Sequence, residues 1–293
     1  MNGAESLLKS LVNGGVEVCF TNPGTSEMQF VAAVDRVEGM RTVLCLFEGV
    51  CSAAADGYAR MAGKPACTLL HLGPGLSNAS ANLHNARRAK TPLINIIGDH
   101  ATYHRQYDAP LNSDIESLSR PVSGWVKNVI SSHTIASDAA ASIVAAMTPP
   151  GQISTLIVPA DCSWDEAGHP AAAPEMPTRR RVTDEAVDEV AKALLSGEPS
   201  VMLMNGAALS AEAAELASRI AEHTGARVMS DTFYPRHERG AGRAVIGRLP
   251  YFAEAAAGTL DGCRHLILVG TTPPVSFFAY PNKPSWLTPE DSG

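Results

Sequence analysis

The stretch Ala4-Glu5-Ser6-Leu7-Leu8-Lys9-Ser10-Leu11-Val12-Asn13-Gly14-Gly15-Val16-Glu17-Val18-Cys19-Phe20-Thr21-Asn22-Pro23-Gly24 decides the fold. Residues 4–13 carry helical spacing, Gly14-Gly15 stops that helix, and residues 16–21 form a short apolar run closed by Asn22-Pro23-Gly24. Helix, glycine stop, strand and turn then recur along the chain. Strands are predicted over 41–47, 66–72, 92–98 and 153–158, and helices over 27–34, 50–61, 78–88 and 137–147. Runs apolar on both faces belong in a parallel sheet covered by helices on both sides. Between 166 and 181 the composition turns to Ala, Pro and charge without periodicity, as in a linker. Thr183 then caps a helix to Leu195, with Asp184 and Glu185 in its first turn. A second α/β pattern follows: strands 200–204, 227–230 and 265–269, helices 211–223 and 252–260. From Pro273 onward no final strand or helix is legible, so this second domain reads as incomplete. The expected organisation is α/β, two doubly wound parallel-sheet domains at 1–165 and 183–293 joined by a linker at 166–182.

The 293 residues are 45% hydrophobic and 18% charged with a net charge of −7, enough for roughly two cores and no basic field for nucleic acid. No apolar run reaches the ~20 residues of a membrane span, and the first residues lack a basic segment followed by an apolar one, so a cytoplasmic location is the default expectation. Six cysteines, none in a CxxC pair, read as small buried hydrophobes.

Glu48 is the first chemical candidate. It stands where the apolar run 43–47 gives way to a helix of small residues, and the carboxyl edge of a parallel sheet is where such folds bind ligands. Burial there would push its carboxyl upward and suit it to proton exchange. The plainer reading is a solvated carboxylate at a helix N-terminus. Leu70-His71-Leu72-Gly73-Pro74-Gly75-Leu76-Ser77-Asn78 is a strand running into a glycine turn. With Asp99 it can be tested as a dinucleotide fingerprint, against which stand Pro74 and the Asn at position 78. A nicotinamide dehydrogenase using Gly73, Gly75 and Asp99 is therefore one alternative. His71 closes the strand, at the same edge as Glu48; a lone histidine in an apolar run is more often a core residue. Thr25 and Ser26 follow the first turn, capping the next helix or lining a pocket. His100 and His104 have metal-ligand spacing but read as a surface loop.

Taken together these motifs resemble the thiamine diphosphate (ThDP) dependent 2-oxoacid enzymes, over essentially the whole chain. Gly14 to Gly24 resembles the first strand and turn of that family's pyrimidine-binding domain. Glu48 with the helix Ala53 to Arg60 is similar to the family's glutamate and following helix, Gly73-Pro74-Gly75 with Asn78 to the glycine turn of acetolactate synthases, and residues 183 onward to the middle domain. The resemblance implies that Glu48 hydrogen-bonds a ring nitrogen of the cofactor's aminopyrimidine, activating it for attack on a 2-oxoacid such as pyruvate. Pro23, Gly24, Gly73, Pro74 and Asn78 would then shape the cofactor site. It implies a synthase that decarboxylates and ligates. The sequence around His71 resembles benzoylformate decarboxylase, in which a histidine there and a serine at position 25 contact substrate; here Thr25 stands beside Ser26.

One departure is large: no Gly-Asp-Gly occurs in the chain, and the family's third domain uses that sequence to hold the diphosphate through Mg²⁺. The expectation is a fragment, a truncated product or half of a split enzyme, which works as a homo-oligomer or with a partner chain bearing the diphosphate domain. FAD, held by many acetolactate synthases, has only the weak signal Asn205-Gly206-Ala207. The remaining alternative is a non-catalytic remnant.

Overall fold

The computed structural model describes residues 1–289, which divide into two compact units, 1–179 and 180–293. Every strand pairing in both is parallel.

In the first unit, α1 (Gly3–Asn13) is capped by the Asn2 side chain accepting from the Glu5 amide. It leads into β1 (Val18–Asn22), α2 (Met28–Val34), β2 (Arg41–Leu44), α3 (Glu48–Ala62), β3 (Ala66–Leu70), α4 (Leu72–Arg88) and β4 (Leu93–Asp99). Then come α5 (Ile115–Ser119), β5 (Trp125–Asn128), α6 (Ile135–Met147), β6 (Ile153–Pro159) and α7 (Ala160–Trp164). The sheet order is β2-β1-β3-β4-β6-β5. One face buries Leu7, Leu8 and Leu11 of α1, Phe30 of α2 and Ile135 and Ile143 of α6. The other buries Cys51 and Ala55 of α3, Leu72, Leu76 and Leu83 of α4 and Ile115 of α5. Since β2 and β3 flank β1 on opposite sides and α2 and α4 cover opposite faces, the order reverses between β1 and β3. That reversal opens a crevice at their carboxyl ends, where such folds bind ligands.

The second unit has α8 (Asp184–Leu195), β7 (Ser200–Met204), α9 (Ala211–Thr224), β8 (Arg227–Ser230), β9 (Gly247–Arg248), α10 (Ala253–Leu260) and β10 (His265–Val269), with sheet order β10-β7-β8-β9. Thr183 caps α8, its hydroxyl accepting from the Ala186 amide. Residues 273–289 hold no strand or helix, and residues 290–293 of the predicted second domain lie outside the described residues.

Several boundaries differ from expectation. The run 41–47 stops being a strand at Leu44: β2 is an edge strand and Leu46 is 95% exposed. The predicted turn at Gly73-Pro74-Gly75 is the first turn of α4, which starts six residues earlier than its periodicity suggests. Pro74 is tolerated there because the first-turn amides of a helix have no intrahelical acceptor. Leu72, φ +46°, makes the sharp entry. An L-residue of this size in the left-handed region costs of order 1–3 kcal/mol, which its full burial offsets. Four short elements, β5, α5, α7 and β9, are not legible in the sequence. The first part of the expected linker is fixed: Ala167 N–H bonds the Met1 carbonyl, and Ala171 N–H bonds the Ser10 hydroxyl.

Leu70, fully buried at the end of β3, sets where His71 leaves the sheet. Leu70→Ala should cost about 2–5 kcal/mol in urea unfolding of the chain; a cost under about 1 kcal/mol would show that the strand end is loosely packed.

Candidate functional site

At the crevice, the chain after β1 makes the turn Asn22-Pro23-Gly24, tied to the neighbouring segment by Asn22 Nδ2 donating to the Cys45 carbonyl at 2.7 Å. Residues Thr25–Glu27 then form one 3₁₀ turn. Neither Thr25 nor Ser26 caps α2, as the sequence had suggested for one of them. The turn is closed instead by Glu27, whose Oε2 accepts from the Gly24 amide at 2.7 Å. Thr25 is exposed and Ser26 half-buried.

Across the crevice, His71 precedes α4, and its Nδ1 lies 2.8 Å from the same Glu27 Oε2. The imidazole lies directly on Gly24: a Cβ there would fall 2.2–2.5 Å from Nδ1, Cε1 and Cγ, so only glycine admits the ring. Glu27 is 2% exposed. Burial pushes its carboxyl up, opposed by the Gly24 amide and by His71. Its role is not legible in the sequence, because a Glu three places after a turn looks like an ordinary helix-start carboxylate.

Glu48 is the first residue of α3 and 9% exposed. Asn78, on the second turn of α4, donates Nδ2 to Glu48 Oε2 at 3.0 Å. Gly75 lies between Glu48 and His71: its Cβ position is 3.3 Å from Glu48 Oε1 and 3.5 Å from His71 Cβ. Two carboxylates, an imidazole and an amide thus converge on one sheet edge. Pro23 and Pro74 stand in the two turns that carry them. Leu44, Leu46, Phe47 and Val50, just before and after Glu48, are all exposed.

Other sequence candidates are placed elsewhere. Gly73 packs against Ser113, where a Cβ would fall 2.3 Å from Oγ, and Asp99 pairs with Arg105 at 2.6 Å. Both positions that a dinucleotide would need are filled. The His100 and His104 rings are 5.5 Å apart, and no group of three or more His, Cys, Asp or Glu side chains able to hold a metal occurs among the described residues. In the second unit Asn205 is taken up locally, its side chain bonding Asp231, the Phe233 carbonyl and the Gly206 amide. That unit's cavity of about 250 Å³ is lined largely by aromatics, including Tyr251, Phe277 and Phe278. No helix among the described residues is long and apolar enough to cross a membrane.

Residues 1–120 match the family model described as the thiamine pyrophosphate enzyme N-terminal TPP binding domain. The match lies within the first unit. The chain is 54% identical over 289 residues, 99% of its length, to a Mycobacterium tuberculosis protein named "Putative acetolactate synthase large subunit IlvX", and covers 56% of that protein. A solved Mycobacterium smegmatis structure, described as a putative thiamin diphosphate-dependent enzyme, superposes with TM-score 0.87 at 27% identity over all of this chain and 56% of its own. The Rhodococcus jostii 4-hydroxybenzoylformate decarboxylase shares the fold, with TM-score 0.85 at 22% identity over all of this chain and 55% of its own. The chain is thus a homologue of acetolactate synthase large subunits and spans about half the length of the relatives it matches. Glu48 and His71 both lie within the matched residues 1–120.

Because burial raises the Glu27 carboxyl, the fold prefers its protonated form. Its contribution to stability is full below its ordinary value of 4.5 and is lost as pH rises through the raised value. The unfolding free energy of wild type minus that of Glu27→Gln, from urea titrations across pH, should therefore fall above pH 4.5. A difference that is flat or rises with pH would contradict it.

Proposed function

We propose that this chain is the N-terminal and middle part of a ThDP-dependent acetolactate synthase-like enzyme, which decarboxylates a 2-oxoacid such as pyruvate and ligates the product. The observation that carries the proposal is the convergence of Glu48 and His71 on Gly75, at the carboxyl edge of a TPP-binding domain. Residues 1–165 are the pyrimidine-binding domain, 166–182 the connection, and 183 onward the middle domain.

The residues present fit the aminopyrimidine end of the cofactor. Glu48 Oε2 is held by Asn78, while Oε1 borders the space left by the missing side chain of Gly75. Glu48 would hold the aminopyrimidine, with Gly24, Gly73, Pro23 and Pro74 shaping the turns around it. When bound, ThDP supplies the nucleophilic carbon that attacks a 2-oxo carbonyl. Glu48 holds a proton at Oε1 and releases it toward a pyrimidine ring nitrogen. Asn78 keeps the carboxylate from turning away, and the surrounding apolar side chains limit water. His71, with Thr25 and Ser26 at the rim, faces the 2-oxoacid and moves protons at its carbonyl or carboxylate.

Two features support a site completed by another domain. Leu44, Leu46, Phe47 and Val50 are an exposed apolar fringe beside a functional carboxylate, a combination typical of an interaction surface. The Mycobacterium tuberculosis relative extends well beyond this chain, which covers 56% of it, leaving the Mg²⁺ and diphosphate end of the cofactor to other residues. A homo-oligomer of a longer chain, or a partner chain bearing the diphosphate domain, would supply both. His71 itself favours a second reading, a benzoylformate-type decarboxylase, because an imidazole at the crevice suits protonation of the decarboxylated product.

The test is 2-oxoacid consumption with ThDP and Mg²⁺ by this chain assembled with a diphosphate-binding domain, as an extended chain or a partner. Glu48→Gln should lower kcat about 10²–10⁴-fold, and the product separates synthase from decarboxylase. Turnover unaffected by Glu48→Gln would overturn the proposal.

A further inference from the structure

Glu27 is an unusual residue to bury. It lines a cavity of about 10 Å³ with apolar residues such as Phe30, Leu69 and Ile96, with Gly98, and with the hydroxyl residues Ser26 and Ser163, neither of which bonds its carboxylate. Its Oε1 is buried without a hydrogen-bond partner. Gly98 presses on that oxygen so closely that a Cβ would fall 1.7 Å from it. All the hydrogen bonding of the carboxylate runs through Oε2, to the Gly24 amide at 2.7 Å and His71 Nδ1 at 2.8 Å. A buried carboxylate with one oxygen unsatisfied costs free energy, and such a cost persists where the group serves a site.

The arrangement constrains the imidazole. A proton on Oε1 would have no acceptor, so the mobile proton belongs on the line between Oε2 and Nδ1. Above the raised value of the Glu27 carboxyl, its ionised Oε2 accepts from the Gly24 N–H and can only accept from His71 as well, which leaves the proton on nitrogen. The ring cannot turn freely, because it lies on Gly24 on one side and is tethered to Glu27 on the other. Its side chain is 22% exposed, so it reaches the crevice while its Nδ1 edge is covered. An orienting acceptor on one ring nitrogen decides what the other nitrogen can do.

We infer that Glu27 is the positioning residue of His71: it fixes the imidazole as the Nδ1–H tautomer and leaves Nε2 as the nitrogen that exchanges protons with the substrate. The role rests on the reading of this crevice as a 2-oxoacid site; the tautomer does not. Glu27 touches no reacting atom and acts through His71 alone. The same geometry explains two glycines at once, since Gly24 admits the ring and Gly98 admits the carboxylate.

The tautomer is read directly by nitrogen-15 NMR of the full chain labelled at histidine, without cofactor or turnover. His71 in its neutral form should carry its proton on Nδ1, with Nε2 bare; an Nε2–H tautomer would overturn the inference. In the assembled enzyme, Glu27→Gln should lower kcat about 10–100-fold with KM for the 2-oxoacid changed by less than about threefold, and Glu27→Asp should recover part of the loss. An unchanged kcat in Glu27→Gln would overturn the positioning role. Absence of turnover in the wild-type assembly would overturn the 2-oxoacid reading and that role with it, leaving the tautomer result intact, so the two failures are distinguishable.

Discussion

A carboxylate removed from water costs several kcal/mol unless donors replace the solvent it loses, and the first unit buries two of them at one edge of its sheet. Much of the local architecture follows from supplying those donors. Glu48 receives the Asn78 amide, which requires that α4 begin early enough to bring its second turn beside α3. Glu27 receives the Gly24 amide and His71, which requires that the turns after β1 and β3 meet across the crevice. The left-handed Leu72 is part of the same solution, because it swings the chain from strand to helix within two residues and leaves His71 at the rim.

Parallel strand order makes the meeting possible. Neighbouring parallel strands deliver all their carboxyl ends to one edge, and the reversal between β1 and β3 parts the covering helices there. Glycines at 24 and 98 make room there for the His71 ring and the Glu27 carboxylate, and Gly75 stands beside Glu48. Around Glu48 the surface turns apolar, with Leu46 and Phe47 presented outward, in keeping with a site finished by a second body.

The sheet itself is legible because fully buried strands such as Ile153–Pro159 and Leu93–Asp99 are mostly apolar, broken only by small polar residues such as Ser154, Thr155 and Asn95, and lie beside glycine or proline. Glu48 and His71 are legible because each stands at a strand-to-helix junction, and Asn78 because it closes the glycine-rich stretch after His71. What the sequence concealed had physical reasons. An edge strand such as β5, half-buried along its length, has too little apolar contrast to be seen. A helix that opens Leu72-Gly73-Pro74-Gly75 contradicts local propensity, and only tertiary packing of Leu72 and Leu76 settles it. Glu27 was invisible because its burial comes from elements far away in sequence, chiefly β3, β4 and β6, which close over it.

The most direct measurement is a crystal structure of this chain assembled with a diphosphate-binding domain, ThDP and Mg²⁺. The aminopyrimidine should lie against Gly75 with a ring nitrogen within hydrogen-bond distance of Glu48 Oε1, while Oε2 stays on Asn78 and His71 stays on Glu27. A pyrimidine ring bound away from Glu48, with the crevice between β1 and β3 left to solvent, would contradict the assignment.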